Sequence, residues 1–350
     1  MISIRFICLQ YVFILHVFLQ TYGNDVATLP ESVKEVVESI PELLTESRAS
    51  STTKGYYRSY MKWTAWLEKN GISDQISSAK PIMICMYLAK LIQEGVSVSA
   101  LSSALYGIRW AFSVIGIPSP TDSELVKNVY EAGKRRLSVP VTKKEPITSD
   151  IMRKMFSKFF IWENKYNQRS ICACLIAFAG FLRSSELLNI RCSDVCFEQT
   201  HMSIFIEKSK TDIYRDGQHV VIARAQSDLC PVRNLEMYFS WCGFSNESSE
   251  YIFRNMTKTK SGYRLRKTNK PLTYSRMREL FIEAFQSFVP DISKFGLHSL
   301  RAGGATACAN SGVSDRLFKR HGRWRSESAK DGYIKDDLDA RLLVSLKLGL

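Results

Sequence analysis

The chain has 350 residues, a formal net charge of +14 and a pI near 9.3, and 45% of its residues are hydrophobic. This length is enough for two domains with separate cores, and the hydrophobic content excludes a disordered chain. The charge favours a polyanionic partner, because Lys and Arg that neutralise phosphates release counterions; nucleic acid is the first candidate and an acidic membrane surface the second.

The N-terminal segment, residues 1–22, is mostly apolar with Arg5 near its start. That pattern is typical of a secretory signal or a short membrane anchor. A buried helix, or an upstream extension that is not part of the working protein, stays open as an alternative. Residues 24–51 are polar and acidic and contain Pro30 and Pro41, which favours a lead-in; we therefore count residues 1–43 as outside the first domain.

A helical domain is predicted over residues 44–137. Aromatic residues from Tyr56 to Trp66 recur at steps of three and four, and three further amphipathic stretches follow up to about Leu137. Most of the aromatic stripe is interpreted as core. Exposed cations of this domain are candidates for contact with a phosphate backbone: Lys54, Arg58, Lys62 and Arg135.

Residues 138–148 are predicted to form a basic linker, because Pro140 and Pro146 flank Lys143 and Lys144. The two lysines suit a strap along a polyanion. Residues 149–350 then form a second domain of helices with two alternating strands, 202–207 and 219–223, joined by a hairpin. The predicted fold class is mainly α with a small β-sheet, α+β.

Nine cysteines, an odd number, lie mostly inside apolar runs such as residues 170–176. They are interpreted as free thiols in a reducing compartment, which conflicts with a secretory signal. Cys192 and Cys196 precede His201, but His219 lies too far on for paired ligand spacing, so no structural metal is predicted.

The candidate active-site residues are spread over the second domain. Arg183 leaves an apolar helix at a turn, where an unpaired guanidinium would be costly to bury, and His298 and Arg301 are three apart on one helix face. The full set is Arg183, Lys210, His298, Arg301, Trp324 and Tyr333.

These residue types suit cleavage of a phosphodiester without a metal or other cofactor. Arginine forks hold phosphate oxygens, a lysine reaches the leaving 5′ oxygen, and a histidine takes or relays the proton of the nucleophile. The indole N–H of Trp324 donates to the phosphate or the ring packs the site closed. Tyr333 is the predicted nucleophile, and no other tyrosine follows His298. Lys208 stays open as an alternative to Lys210.

Four motif pieces follow one another along the chain: Phe181-Leu182-Arg183-Ser184-Ser185-Glu186-Leu187, Ser209-Lys210-Thr211, His298-Ser299-Leu300-Arg301, and Trp324 nine residues before Tyr333. Together they resemble the active site of the tyrosine recombinases, or phage integrase family. Trp324 replaces the usual last histidine of the pattern, a variation that some members share. Glu186 matches the acidic residue that braces the family's site.

The resemblance covers residues 44–350. It implies a helical, SAM-like core-binding domain followed by an integrase-type catalytic domain with a C-terminal tail helix. It also implies a covalent 3′-phosphotyrosine, double-stranded DNA as partner and no cofactor. No stable membrane partner is expected, and the predicted location is nuclear, with a signal or anchor in the N-terminal apolar segment left open. A homotetramer on DNA is implied, with a monomer in solution left open. In its length and in the run from His298 to Gly304, the chain is more similar to recombinases of eukaryotic mobile elements than to bacterial chromosome resolvases.

Two other functions stay open. A type IB topoisomerase shares the chemistry and relaxes supercoils without joining two sites. A domesticated protein that binds DNA without cleaving it is the non-enzyme alternative. Arg323, close to Trp324, is interpreted together with Arg320 and Arg325 as a solvated or phosphate-facing cation, and His321 as a histidine at a helix end.

Overall fold

The computed structural model describes residues 9–72, 79–140, 142–207, 217–336 and 338–348. Its backbone contacts divide the chain into two compact units, Met1–Val141 and Thr142–Leu350. Both are built mainly from helices, and the second adds two small antiparallel sheets. The predicted class, mainly α with a small β content, is confirmed.

Within its described residues, the first unit has six α-helices around a core of buried aromatic and aliphatic side chains. These helices are α1 Leu9–Ala27, α2 Glu31–Glu46, α3 Ser50–Lys69, α4 Pro81–Gln93, α5 Val98–Ser113 and α6 Glu124–Leu137. Helices α3 to α6 lie where the hydrophobic spacing predicts four helices. Trp63 and Ile108 are fully buried between them, so the aromatic stripe of α3 is largely core as interpreted.

Helix α1 is packed into this unit, although the apolar segment was expected to lie outside it. Ile14 and Val17 are buried, the ring of Phe13 lies 4.9 Å from that of Tyr60, and the Tyr22 hydroxyl donates to the Ile115 carbonyl oxygen at 2.7 Å. In the structure, Leu9–Ala27 is therefore a packed helix, which is the buried-helix alternative. Within the described ranges, no helix is long and apolar enough to cross a membrane.

The acidic stretch after α1, interpreted as a lead-in to the first domain, is largely helical as well. Helix α2 runs through Pro41, and most of its residues are exposed. The polar composition and Pro41 suggested a break in this stretch. A proline inside a helix removes one backbone hydrogen bond, and α2 continues through Pro41 despite that loss.

The second unit surrounds α8, whose residues from Ile171 to Ala177 are all buried. Its helices are α7 Ser149–Phe159, α8 Lys165–Ala179, α9 Ser184–Leu188, α10 Pro231–Cys242, α11 Tyr274–Phe285, α12 Leu297–Asn310, α13 Asp315–Gly322, α14 Glu327–Asp331 and α15 Leu338–Leu346. Its strands are β1 Val195–Phe197, β2 His201–Ile206, β3 Gln218–Ala223, β4 Met256–Thr259 and β5 Gly262–Leu265.

The three-stranded sheet has the order β1-β2-β3, and every pair is antiparallel. Met202, Ile204 and Ile206 of β2 are buried on one face, as the predicted alternation requires. The short β1 and the β4–β5 hairpin were not predicted. The eight cysteines of the described ranges are free thiols, and burial raises the pKa of the Cys174 thiol to about 12.

Candidate active site

Arg183 stands at a sharp turn between α8 and α9. The chain leaves α8 at Gly180, and Phe181 adopts a left-handed conformation with φ 47° while its ring is buried. This turn places Arg183 at the N-cap of α9, where its backbone N–H donates to Glu186 Oε2 at 2.8 Å. The Arg183 side chain is 14% exposed, so its guanidinium reaches the surface of the unit.

Glu186 is a buried carboxylate shared by three arginines. Arg183 Nη1 lies 2.6 Å from Oε1, and Arg323 Nη2 and Arg301 Nη1 lie 2.9 and 3.8 Å from Oε2. Burial by itself would raise the pKa of this carboxyl, but the charge of Arg323 and the hydrogen bonds from Arg183 outweigh burial and lower the pKa below its ordinary value. The carboxylate is therefore ionised and sets the positions of all three guanidinium groups.

Arg301 lies on the second turn of α12 and is fully buried. Its Nη1 donates to the Phe181 carbonyl oxygen and its Nη2 to the Gly322 carbonyl oxygen at 2.7 Å. Burial, together with the charge of Arg183, lowers the pKa of the Arg301 guanidinium. Even lowered, an arginine stays cationic at neutral pH. Arg301 therefore adds a fixed positive charge beneath the site.

Two glycines bring α12 close to its neighbours. A Cβ added to Gly303 would lie 1.9 Å from the Ile147 carbonyl oxygen, and one added to Gly304 would lie 2.0 Å from the Phe178 carbonyl oxygen. Both clashes are with backbone, which cannot swing away as a side chain can. The Gly303-Gly304 pair therefore permits the close approach that brings Arg301 to the Arg183 turn.

Trp324 and Tyr333 cover the guanidinium of Arg301. The Arg301 Cζ lies 5.0 Å from the Trp324 ring centre and 4.8 Å from that of Tyr333, within the range of a cation–π contact. The two rings are 5.7 Å apart. Trp324 is 6% exposed, and its buried Nε1–H has no acceptor among the residues that the structure describes. A buried donor of this kind is available to a ligand.

The ring of Trp324 is held from below by a small aromatic cluster. Phe318 and Phe181 lie 5.0 and 6.0 Å from it, and a Cβ on Gly322 would come within 2.0 Å of the indole. Gly322 is therefore required where the indole lies against the backbone. Gly322 was not predicted to be a site residue, although it lies only two residues before Trp324.

Tyr333 follows α14, a short helix anchored by an ion-pair network. The Lys330 ammonium contacts Asp315 Oδ1 and lies 2.6 Å from Glu327 Oε2, and the Tyr333 N–H donates to the Lys330 carbonyl oxygen at 3.0 Å. The pKa of the Glu327 carboxyl falls to about 2 because it accepts hydrogen bonds from Lys319 and Lys330. Lys330, which sequence reasoning missed, thus ties the tyrosine segment to α13; its spacing of three from Glu327 was the available signal.

His298 is exposed at the start of α12, and its ring centre lies 6.5 Å from that of Tyr333. The structure thus brings together five of the six candidate residues: Arg183, His298, Arg301, Trp324 and Tyr333. The sixth, Lys210, and its alternative Lys208 fall in residues 208–216, outside the described ranges.

Arg323 requires a correction. It was interpreted as a solvated or phosphate-facing cation, but its side chain is 4% exposed and is bound to Glu186. Its Nη1 also donates to the His321 carbonyl oxygen at 3.0 Å. Arg323 sits in a left-handed conformation, φ 56°, at the end of α13, and this conformation turns the side chain inward. His321 lies in the last turn of α13, as interpreted, with Nε2 donating to the Ala179 carbonyl oxygen at 2.8 Å.

The other cations proposed for phosphate contact are exposed. Three lie on α3 and one on α6 of the first unit: Lys54, Arg58, Lys62 and Arg135. In the linker, Lys143 Nζ donates to the Gly332 carbonyl oxygen at 3.4 Å, and Lys144 Nζ donates to that of Ser293. The two linker lysines therefore contact the second unit's own backbone.

The sequence matches the family described as "Phage integrase family" over residues 145–338. Among curated proteins it is 26% identical to an "Integrase/recombinase xerD homolog" from Selenomonas ruminantium, with 83% of each chain covered. It is 22% identical to "Recombinase cre" of Escherichia phage P1, covering 94% of this chain and 98% of that protein.

A solved structure with a similar fold is the XerH site-specific recombinase bound to its palindromic difH substrate, a post-cleavage complex. The TM-score is 0.61 at 15% identity, with 97% of this chain and 95% of that chain covered. A lambda integrase (75-356) dimer bound to a COC' core site gives 0.51 at 16% identity, with 92% and 96% covered. At these identities the likeness concerns the fold.

Proposed function

The chain belongs to the phage integrase family of tyrosine-type DNA recombinases, and we propose that it cuts and rejoins duplex DNA through a covalent bond between Tyr333 and a 3′ phosphate. The observation that carries the proposal is the position of the Tyr333 ring, 4.8 Å from the buried guanidinium of Arg301 and beside Trp324. A phosphate placed there would meet fixed positive charge and a free indole donor next to the phenol.

In the cleavage step, Tyr333 Oη attacks the phosphorus and forms a phosphodiester with the 3′ strand. The bond to the 5′ oxygen breaks, and that oxygen takes up a proton and leaves as a hydroxyl. The step is reversible, because a 5′ hydroxyl of another strand attacks the phosphotyrosine in the same way and releases the tyrosine. One bond is exchanged for another of the same kind, so neither nucleotide nor redox equivalent is consumed.

Charge builds on the non-bridging oxygens as the phosphorus becomes pentacovalent. Arg183 and Arg301 supply the compensating charge, and Glu186 fixes both before substrate arrives, so little reorganisation is needed. The indole N–H of Trp324, which has no acceptor among the described residues, donates to one of these oxygens. His298 accepts or relays the phenol proton, and Lys210 is assigned to the leaving 5′ oxygen, with Lys208 as its alternative.

The direct test is covalent trapping on a nicked suicide duplex, which loses its 5′ fragment after cleavage. Wild type is expected to form a protein–DNA adduct that resists denaturation, whereas Tyr333→Phe binds the same duplex and forms none. Tyr274→Phe is the matched control, because Tyr274 is an exposed tyrosine of the same unit. An adduct formed by Tyr333→Phe would exclude the proposed nucleophile.

The two alternative functions give different outcomes in this assay. A protein that binds DNA without cleaving it gives no adduct with wild type. A type IB topoisomerase gives the adduct and relaxes a supercoiled plasmid, but does not exchange strands between two duplexes. We expect products joined from two separate sites, in line with the recombinases named among the relatives.

A homotetramer on DNA is proposed from the chemistry of strand exchange, which needs two duplexes and four cuts. Support comes from α15, where Leu342, Val344 and Leu346 are exposed and apolar enough to dock on a neighbouring subunit. A monomer in solution stays open. Analytical ultracentrifugation with and without a two-site DNA tests both.

Nuclear location and origin in a eukaryotic mobile element also stay predictions; the relatives named here come from a bacterium and a bacteriophage.

A further inference from the structure

The β4–β5 hairpin and its flanks form the most basic stretch of the chain. Between Glu250 and Glu279 the sequence has nine Lys and Arg and no Asp or Glu. Six of the cations are exposed on or after the hairpin, and the ion pairs found among the described residues include none of them: Lys258, Lys260, Arg264, Arg266, Lys267 and Lys270. A cluster of unpaired cations attracts a polyanion.

The register of the hairpin places Lys258 and Arg264 on opposite faces of the ribbon, and both side chains are exposed. Lys258 pairs with Tyr263, and Thr257 pairs with Arg264, so the side chains of each pair share one face of the ribbon. Tyr263 is half-buried with its ring 4.8 Å from that of Tyr166 in the first turn of α8. The hairpin is thereby fixed to the second unit while Arg264 remains exposed.

An aromatic side chain lies at the same place. A surface groove is lined by Trp162 and Lys165 on one side and by Tyr263 and Arg264 on the other. Trp162 is 68% exposed although it is braced by Trp241, with ring centres 5.3 Å apart in an edge-to-face contact. One carboxylate, Glu163, also lines the groove. An exposed indole beside cations is costly to hydrate but suits a nucleobase, which stacks on it.

This groove is far from the candidate active site. Lys165 is the first residue of α8 and Trp162 lies just before it, whereas Arg183 follows the end of this helix, and a helix of 15 residues spans about 22 Å. A phosphate bound at Arg183 therefore cannot occupy the groove. The family function accounts for the active-site end of α8 and leaves the opposite end without a role.

We propose that the groove between Trp162 and the β4–β5 hairpin is a second nucleic-acid site, which takes a single strand with one base stacked on Trp162. Duplex DNA would satisfy the cations through its phosphates, but its bases are stacked on one another and closed to the indole. An unpaired strand offers both a phosphate backbone and a free base. DNA and RNA strands share this chemistry.

Fluorescence anisotropy with labelled 15-nucleotide oligothymidylate and oligouridylate tests the proposal, in the Tyr333→Phe background so that covalent chemistry plays no part. Trp162→Ala is expected to weaken binding about tenfold, which is typical of the loss of one stacked base. An abasic strand of the same length is expected to bind the Tyr333→Phe protein and its Trp162→Ala derivative equally. The strand that the Tyr333→Phe protein binds more tightly identifies the preferred sugar.

The cations are tested by the triple variant Lys258→Gln/Lys260→Gln/Arg264→Gln. It is expected to lower the slope of log affinity against log salt by about 2 for the single strand, since each phosphate contact contributes about 0.7. Its matched control is Arg153→Gln/Lys154→Gln/Arg233→Gln, which removes three exposed cations from the same unit. The control is expected to leave the slope unchanged.

Two results would overturn the proposal. One is an unchanged affinity for the single strand in both the Trp162→Ala variant and the Lys258→Gln/Lys260→Gln/Arg264→Gln variant. The other is an equal loss of duplex binding and of suicide-substrate adduct when the hairpin variant is made with Tyr333 intact, because the hairpin would then belong to the cleavage site. Failure of the proposed recombinase function has a different signature, namely no adduct with wild type, whatever the single-strand result.

Discussion

Arg323 and Glu186, 137 residues apart in sequence, form a buried ion pair in which Arg323 Nη2 lies 2.9 Å from Glu186 Oε2. The pair joins the end of α13, just before Trp324, to the turn that carries Arg183. The same carboxylate also contacts Arg183 and Arg301. One buried charge thus determines the geometry on both sides of the candidate active site.

We expect Glu186→Gln to destabilise the protein by about 3 to 5 kcal/mol, because removing one partner leaves buried guanidinium groups without compensating charge. Adduct formation on the suicide duplex should also fall, since Arg183 and Arg301 lose their common anchor. Chemical denaturation measures the first effect. Glu236→Gln is the control, because Glu236 pairs with Arg224 and that pair is far more exposed; an equal loss in the control would contradict the special role of Glu186.

Glu186 also predicts a pH dependence. Its pKa is lower in the folded protein than the value of about 4.3 expected in the unfolded chain, so its ion pairs stabilise the fold above that value. The stabilisation is lost as pH falls from about 4.3 through the lower folded pKa. Wild type should therefore lose stability over this acidic range more steeply than Glu186→Gln. Parallel curves for the two proteins would show that the carboxylate is not held ionised.

Substitution of Trp324 separates its two roles. Trp324→Phe keeps an aromatic ring against Phe318 but removes the Nε1–H, so we expect nearly unchanged stability and a cleavage rate lower by about 10². Trp324→Ala also leaves a cavity and should cost about 3 to 5 kcal/mol of stability. Single-turnover adduct formation and thermal unfolding measure the two effects. Full cleavage activity in Trp324→Phe would assign the indole to packing alone.

Lys330 is predicted to position the nucleophile. In Lys330→Met the contacts to Asp315 and Glu327 are lost, so α14 is released from α13 and Tyr333 is held less firmly. We expect the rate of adduct formation to fall on the order of tenfold, since small displacements of reacting groups are costly, while duplex binding is retained. Lys319→Met serves as control, because Lys319 pairs with Glu327 and leaves the Lys330 contacts in place. Equal rates in the two variants would argue against positioning by Lys330.

Gly303 within α12 and Gly296 at the N-cap of the same helix give a matched pair of glycines. An added Cβ meets the Ile147 carbonyl oxygen at 1.9 Å from Gly303 but nothing within 4 Å from Gly296, where φ is −172°. Gly303→Ala should therefore destabilise the second unit by about 2 kcal/mol or more, and Gly296→Ala should be nearly neutral. Thermal unfolding of both variants is the measurement, and a stable Gly303→Ala would show that α12 can move away from Ile147.

Helices α3 to α6, the buried α8 and strands β2 and β3 could be predicted because each has a regular spacing of apolar residues. The spacing of His298 and Arg301 and the order of the motif residues likewise sufficed to name the candidate site. The β4–β5 hairpin was missed, because polar residues and a glycine make up most of its two short strands and no apolar alternation marks them.

Other features depend on contacts between residues far apart in sequence. The apolar segment of α1 has the same composition whether it is a signal, an anchor or a packed helix, and only its contacts with Tyr60 and Ile115 distinguish them. Arg323 looks like a surface cation in sequence and is buried because Glu186 lies opposite. The sequence by itself thus determined the family and named the candidate site residues, since these follow from local pattern and order. Tertiary structure alone decided which cations are buried and what they hold, because the energy of a charge depends on what surrounds it.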